Sequence, residues 1–309
     1  MLSLVQRTLA KKVVLTGVGL HSGKDMRLEL HPADIDFGIQ FRRTDLAQSL
    51  PIHAHAINIH STDLNTTISS GDARISTIEH LMAAFAGLEI DNVLVKLDGP
   101  EVPVMDGSAG PFVEAILDAG VALQNANKKY FVVREVFELR QGDKWIRVEP
   151  ATNTSFSMQI DFKSSVIGAQ SLNFEWSTVE ALESIFVSRT FCHVNDVTAM
   201  QRAGLALGGS LDNAIVVSDD EVLNPEGLRF NDEFVRHKLL DCIGDLSMLG
   251  APIIGKFSAY KSGHGLHAAF MKALWAKKSE ILTIVEDMQH ISRQSPREID
   301  SAAVIGIKS

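Results

Sequence analysis

Hydrophobic positions near the start of the chain come in short runs. Val13–Leu20, Arg27–His31 and Gly38–Phe41 are β-branched or alternate apolar with polar, and Gly and Pro stand between them. A period of two predicts half-buried strands joined by tight turns. His31-Pro32 should close the second strand, because the residue before proline is pushed out of the helical region. The pattern changes at Ser76-Thr77-Ile78-Glu79-His80, which opens a helix running to Ala86, with Gly87 placed to stop it. A strand at Asn92–Leu97, a Gly/Pro-rich loop from Asp98 to Pro111 and a helix from Pro111 to Asp118 follow. The proline suits a first helical turn.

The polar stretch Gln124–Lys129 holds few core candidates and reads as a linker. Beyond it, strands are expected at Tyr130–Glu135, Lys144–Pro150, Ser155–Phe162 and Asn213–Val217, and a helix near Thr178–Ser188. The strongest helix covers Asp232–Leu249, with Asn231 or Asp232 as its N-cap and acidic residues in its first turn. Strand Ile254–Tyr260, a Gly/His turn and a helix at His267–Lys277 complete the pattern. Each half therefore closes on helix, strand, Gly-rich loop and helix. His80 lies early in the first such unit and His237 early in the second. Such a repeat points to two α+β domains, residues 1–126 and 127–309, with equivalent helix starts at a site between them.

Two domains agree with the 309-residue length at about 150 residues each. Hydrophobic residues at 45% and charged residues at 22% supply folded cores and exclude a disordered or collagen-like chain. The net charge of −9 argues against a nucleic-acid partner. An anionic small molecule remains open, because a few local Lys or Arg residues can override the global sign. Cys192 and Cys242 form no Cys-x-x-Cys pair, so a disulfide framework and a four-thiolate zinc site are excluded. They read as free thiols in a reducing compartment. Arg7, Lys11 and Lys12 interrupt the N-terminus before a signal-peptide core can form. No apolar stretch reaches the roughly 18 residues of a membrane span. The chain reads as cytoplasmic, and nothing in it demands more than a monomer.

Candidate chemistry concentrates in Phe234–Asp245. His237, Asp241 and Asp245 recur every four residues and stack along one side of the helix. Val235, Leu239, Leu240 and Ile243 take much of the remaining surface, so the helix should be largely buried. Its carboxylates must then be paired, hydrogen-bonded or metal-bound. A His/Asp pair at this spacing can offer a nitrogen and an oxygen to one small cation, and a third protein ligand would complete a catalytic zinc site. A structural His–Asp hydrogen bond fits the same spacing. Glu79-His80 offers the missing pieces, with His80 as third ligand and Glu79 as a base toward water. An ordinary Glu beside a surface His fits as well. Lys261-Ser262-Gly263-His264-Gly265 sets a histidine between two glycines after a strand. As imidazolium, held by Asp245, it could stabilise an oxyanion or protonate a leaving amine. A solvent-facing turn histidine is the alternative.

Over nearly its whole length the chain resembles the zinc-dependent UDP-3-O-[(R)-3-hydroxyacyl]-N-acetylglucosamine deacetylases, the enzymes of the committed step of lipid A synthesis in Gram-negative bacteria. The resemblance is carried, in order, by Thr16–Gly23 (TGVGLHSG), Arg42–Asp45 (RRTD), Ile75–Leu81 (ISTIEHL), Met105–Ala109 (MDGSA), Ser188–Phe191 (SRTF), Leu207–Ser210 (LGGS), Phe234–Lys238 (FVRHK) with Asp241, and Ser262–His264 (SGH). It implies one catalytic zinc ion on His80, His237 and Asp241, with Glu79 as general base and His264 as the catalytic histidine supported by Asp245. Thr190 matches the hydroxyl that donates to the carbonyl or oxyanion. Lys238 matches a lysine near the substrate's polar face, and Phe191 an aromatic beside the sugar or acyl entrance.

The implied reaction hydrolyses the N-acetyl group of the acylated UDP-sugar and releases acetate, with either Glu79 or His264 protonating the amine. The implied fold is two similar α+β domains of ribosomal protein S5 domain 2-like type, each with a small insert, and the active site between them. The second insert, near Val194–Leu211, resembles an element that forms an apolar tunnel for the 3-O-acyl chain. Val197, Met200, Leu205 and Leu207, interleaved with Gly204, Gly208 and Gly209 and followed by Ser210, suit its wall, and a plain packed insert would show the same pattern. Lys261 is a further candidate beside Lys238 for the diphosphate. Cys192-His193 departs from the Gly and hydrophobic residue of several relatives, and Asn65-Thr66-Thr67 receives no role. Two other readings fit less well. A small-molecule kinase needs a phosphate loop, and Gly107-Ser108-Ala109-Gly110 lacks a basic partner. A non-catalytic nucleotide-sugar-binding regulator predicts a lost ligand or base, and none is missing.

Overall fold

Two five-stranded sheets with one and the same strand order form the framework of the two halves. The computed structural model of the chain describes residues 3–286. The expected second domain runs to residue 309, and its last stretch, 287–309, lies outside the described residues.

The first half runs through β1 (Val5–Leu9), β2 (Val13–Val18), β3 (Asp25–Pro32), β4 (Ile39–Arg43), β5 (Ile52–His53), β6 (Ile59–Ser61), β7 (Thr67–Ser70), β8 (Ala73–Ile75), α1 (Glu79–Gly87), β9 (Val93–Leu97), α2 (Gly110–Ala119) and β10 (Val121–Asn127). The second half runs through β11 (Tyr130–Val133), β12 (Phe137–Gln141), β13 (Lys144–Glu149), β14 (Ser155–Asp161), β15 (Ala169–Glu175), α3 (Thr178–Glu180), β16 (Phe191–His193), α4 (Val194–Arg202), β17 (Ile215–Val217), α5 (Glu233–Leu246), β18 (Ile253–Ile254), β19 (Lys256–Tyr260), α6 (His264–Ala276), α7 (Lys278–Ile281) and β20 (Leu282–Val285).

One sheet is ordered β2-β3-β9-β4-β5 and the other β12-β13-β19-β14-β15. In both, the central strand is antiparallel to one neighbour and parallel to the other. A parallel pair needs a crossover connection. Helix α1 lies in the crossover from β4 to β9, and α5 in that from β14 to β19. The repeat seen in the sequence is thus a repeat of topology, and the α+β fold of two like halves holds.

Strand β3 shows how the pattern makes the sheet. Met26, Leu28 and Leu30 are buried while Arg27 and Glu29 face outward. Helices α1 and α5 are buried on nearly all sides, as befits helices in a central layer, and they pack on each other. Gly244 permits the close crossing, since a Cβ there would run into the carbonyl of Glu79. One apolar core continues through both halves, from Leu28, Phe41 and Phe85 to Ile146, Phe257 and Phe270.

Each half also carries a small addition. In the first it is the three-stranded sheet β6-β7-β8. In the second it is β16-α4-β17, whose two strands pair parallel. None of the α4 residues is buried. No helix among the described residues is long and apolar enough to cross a membrane.

Several expectations are corrected. The stretch 124–129 is not a linker: Val121–Asn127 forms β10, paired antiparallel with β1. Its polar side chains are spent on internal bonds, Gln124 with Asn92 and the carbonyl of Ala33, while the buried Lys128 meets Asp91 at 2.9 Å and the carbonyl of Glu89. The last long helix starts at His264, three residues earlier than expected, because Gly263 takes the extended N-cap position and Gly265 is accepted in the first turn. Asp232 does occupy the N-cap of α5, but its carboxylate binds Arg236 at 2.6 Å instead of the helix backbone. Near Thr178–Ser188 a single helical turn widens into a π-helical one at Ala181–Ile185.

Candidate active site

The expected site residues converge where α1, α5 and α6 meet. Glu79 and His80 are the first two residues of α1, and His237, Lys238, Asp241 and Asp245 follow one side of α5. His264 is the first residue of α6. Backbone strain stands just before two of these groups: Thr77 (φ 57°) and Lys261 (φ 52°) are left-handed without being glycine. Thr77 is held there by Glu101, which accepts from its hydroxyl at 3.2 Å.

Asp241 Oδ1 is buried and has no hydrogen-bond partner among the described residues. It stands 3.4 Å from His237 Nε2 and 3.5 Å from His80 Nε2. Both gaps are long for hydrogen bonds. They match the spacing of about 3.3 Å that tetrahedral bonds of about 2.0–2.1 Å impose on ligand atoms. His237 Nδ1 donates to the carbonyl of Ser188 at 3.0 Å, which leaves Nε2 as the nitrogen with a lone pair. Burial pushes the His237 pKa down to about 3, so the ring is neutral, as a metal ligand must be. Burial works against the Asp241 charge, yet the cationic groups around it, Lys238 at 2.6 Å among them, hold it well below the usual carboxylate range. These three residues could hold a metal ion.

Glu79 and His264 flank the triad. The Glu79 carboxylate accepts the backbone N–H of Thr66 on Oε2 at 3.0 Å, and its Oε1 lies 3.9 Å from His264 Nε2. Burial raises its pKa, with His264 and His80 opposing. Burial likewise opposes the charged form of His264, but Asp245, Asp241 and Glu79 outweigh it and hold its pKa up at about 9. The Asp245 carboxylate, 2.8 Å from His264 Nδ1, is kept ionised against burial by His264 and His267.

Two residues at this site carried no expectation. Thr66 binds two of the carboxylates: its N–H reaches Glu79, and its hydroxyl donates to Asp245 Oδ1 at 2.6 Å. It sits in a loop of the first half, where periodicity says nothing about direction. His267 lies 2.7 Å from Asp245 Oδ2. Its signal was the i,i+3 spacing from His264, which appears only once the helix is begun at His264.

Of the remaining expected residues, Phe191 meets His237 and Lys238 meets Asp241. Thr190 is placed through its backbone, its N–H donating to Gly107 and its carbonyl accepting from Ile215. Its hydroxyl makes no hydrogen bond among the described residues. Phe191 packs edge-on against His237 at 6.1 Å and Phe162 at 5.4 Å. Lys144, Lys238 and Lys261 line one recess of about 140 Å³ with Phe162 and Asp161.

In the insert, Val197 is half-buried and Leu207 exposed. Leu207 and Gly208 donate their N–H groups to the carbonyls of His21 and Leu20, joining two of the sequence blocks. Gly209 and Ser210 are exposed, and the Ser210 hydroxyl accepts from the N–H of Asp212. A larger cavity of about 820 Å³, walled by Phe37, Phe85, Phe156, Ile253 and Trp275, contains none of these groups.

The chain matches the LpxC family model, UDP-3-O-acyl N-acetylglycosamine deacetylase, over residues 6–276. It is 47% identical over 281 residues to the UDP-3-O-acyl-N-acetylglucosamine deacetylase of Citrifermentans bemidjiense, covering 91% of this chain and 92% of that one. It is 49% identical over 264 residues to the enzyme of that name from Methylococcus capsulatus, covering 85% and 87%. A similar match, 47% over 271 residues, links it to the one from Acidithiobacillus ferrooxidans, with 87% and 89% covered. With its fold and its clustered His, Asp and Glu residues, the chain belongs to the UDP-3-O-acyl N-acetylglycosamine deacetylase family.

Proposed function

We propose that this protein hydrolyses the N-acetyl group of UDP-3-O-[(R)-3-hydroxyacyl]-N-acetylglucosamine, giving the free amine and acetate, in the cytoplasmic committed step of lipid A synthesis. The observation that carries this reading is the bare, buried Asp241 Oδ1 between two imidazole nitrogens, with Glu79 and His264 beside it. We assign the metal as zinc, held by His80, His237 and Asp241. When bound there, zinc supplies Lewis acidity for the amide carbonyl and for the attacking water.

The protein's own groups move the protons. Glu79 accepts the water proton on Oε1, since Oε2 is already engaged by Thr66. His264 presents Nε2–H toward the developing oxyanion while its Nδ1–H is bound to Asp245. Thr190, whose hydroxyl has no hydrogen-bond partner among the described residues, donates to the same oxygen. Glu79, once protonated, and His264 are the two groups that can deliver a proton to the leaving nitrogen. The Lys144, Lys238 and Lys261 recess carries the diphosphate, and Phe191 with Phe162 borders the sugar. Val197, Leu207, Gly209 and Ser210 line the path of the acyl chain, where each buried CH₂ contributes about 0.8 kcal/mol. The protein works as a monomer in this account, because both halves of the site come from one chain.

The test is acetate release from the acylated UDP-sugar by the purified protein, run beside Glu79→Ala. Release by the parent and its loss in the variant support the reading. Full activity of the variant overturns the role of Glu79, and no release by the parent overturns the function.

A further inference from the structure

His267 takes no part in the scheme above, yet it is completely buried on α6, one turn beyond His264. Its Nδ1 stands 2.7 Å from Asp245 Oδ2, the same oxygen that His264 Nδ1 approaches at 2.8 Å. Its Nε2 stands 2.9 Å from the Ser262 hydroxyl. With Thr66 on Oδ1 at 2.6 Å, the Asp245 carboxylate receives three hydrogen bonds.

An ionised carboxylate only accepts, so both imidazoles must present N–H at Nδ1. Two imidazoliums on one buried carboxylate would repel each other. Burial lowers the pKa of His267 against the pull of Asp245. His267 is therefore the neutral Nδ1–H tautomer, and its Nε2 accepts from Ser262. The other acceptor near that hydroxyl, Met158 Sδ at 3.6 Å, is much weaker.

We propose that His267, backed by Ser262, is a positioning residue that locks the Asp245 carboxylate in the one orientation that aims His264 at the reacting groups. The inference deepens the functional reading and rests on His264 as the proton-carrying group there. Its basis is the sharing of Oδ2. Asp245 ends the polar side of α5, and His264 is the first residue of α6, where a helix end has fewest backbone bonds to fix it. Without His267, the orientation of Asp245 would depend on Thr66 and on His264 itself, the ring that has to be aimed. The bond from His267 ties α6 to α5 independently of the ring that moves the proton.

Two substitutions separate this role from simple packing. His267→Leu fills the space without a donor, and His267→Asn keeps an N–H donor close to where Nδ1 stands. The expected result is a fall in kcat of about 10–100-fold for His267→Leu with KM and metal content unchanged, and recovery by His267→Asn to within about 3-fold of the parent. Parent-like kcat in His267→Leu overturns the proposal, and so does an Asn variant as slow as the Leu variant. A second measurement needs no variant and no substrate: the ¹⁵N shifts of His267 in the folded parent protein should report the neutral Nδ1–H tautomer at pH 7. An Nε2–H tautomer or an imidazolium there overturns the proposal. Because that result is read without turnover, it stays distinct from failure of the deacetylase reading, which acetate release by the parent tests.

Discussion

The two halves share a topology and divide the chemistry unequally. Helix α1 and helix α5 occupy equivalent crossovers, yet α1 offers polar groups only in its first turn, Glu79 and His80, while α5 offers them along four turns. The loops after the central strands differ in the same way. In the second half, Lys261–Gly263 leads straight into His264. In the first half, the corresponding loop is structural: Gly107 accepts the N–H of Thr190, and Asp106 binds Arg229 at 2.9 Å. The duplicated scaffold brings two helices into one crossing. Which side chains line that crossing is decided separately in each half, and hydrogen bonds run across it. Thr66 of the first half reaching Asp245 of the second is the plainest of these.

The largest expected effect comes from the smaller contribution. Glu79→Ala should lower kcat by about 10²–10⁴-fold while the metal stays bound, as acetate release and elemental analysis would show. A variant that keeps its activity would move the base to the α5 side. Next is Asp245→Asn, which removes the charge holding His264 protonated. The folded pKa of His264 is raised, so its protonated form is present at low pH and lost as pH climbs through that value. The variant should lose about 100-fold in kcat/KM, and the alkaline limb of its pH–rate profile should move to lower pH. An unmoved limb would separate Asp245 from His264.

Thr66→Val probes the tie across the crossing. It leaves Asp245 Oδ1 without its donor, which should cost about 1–3 kcal/mol of stability and reduce kcat about 10-fold. Denaturant unfolding and turnover measured together check both. A loss in stability alone would make Thr66 a structural residue of the first half.

Much of this division was legible in the chain. The His237, Asp241 and Asp245 spacing depends only on helical geometry, so it survives whatever the helix packs against. Glu79-His80 was legible because it begins a helix with a visible start. Thr66 and His267 were not. One lies in a loop whose direction is set by contacts far along the chain, and the other was hidden by a helix start hidden at Gly263. The linker expected at residues 124–129 failed for a related reason. Polarity there does not mean exposure, because Gln124 and Lys128 place their polar groups on buried partners.

The smallest effect compares the outer faces of the two sheets, where Lys12, Arg27, Glu29 and His31 on one side answer Glu138, Arg147 and Glu149 on the other. His31 and Arg27 hold the Glu29 carboxyl down at about 2, below its ordinary 4.5. Its stabilising contribution is therefore present above the ordinary value and lost as pH falls through about 2. In so exposed a cluster it is worth under ~1 kcal/mol. Glu29→Gln should lower stability slightly at neutral pH, and the difference from the parent should shrink between the two values. A difference constant through that range would show that the ion pairs contribute nothing.

The central claim is that one metal ion is held by both halves together. Elemental analysis of the purified parent, His80→Ala and His237→Ala tests it most directly. The account predicts about one zinc per parent chain and its loss in both variants, although only His237 lies in the half that carries most of the polar groups. Unchanged metal content in either variant would contradict it.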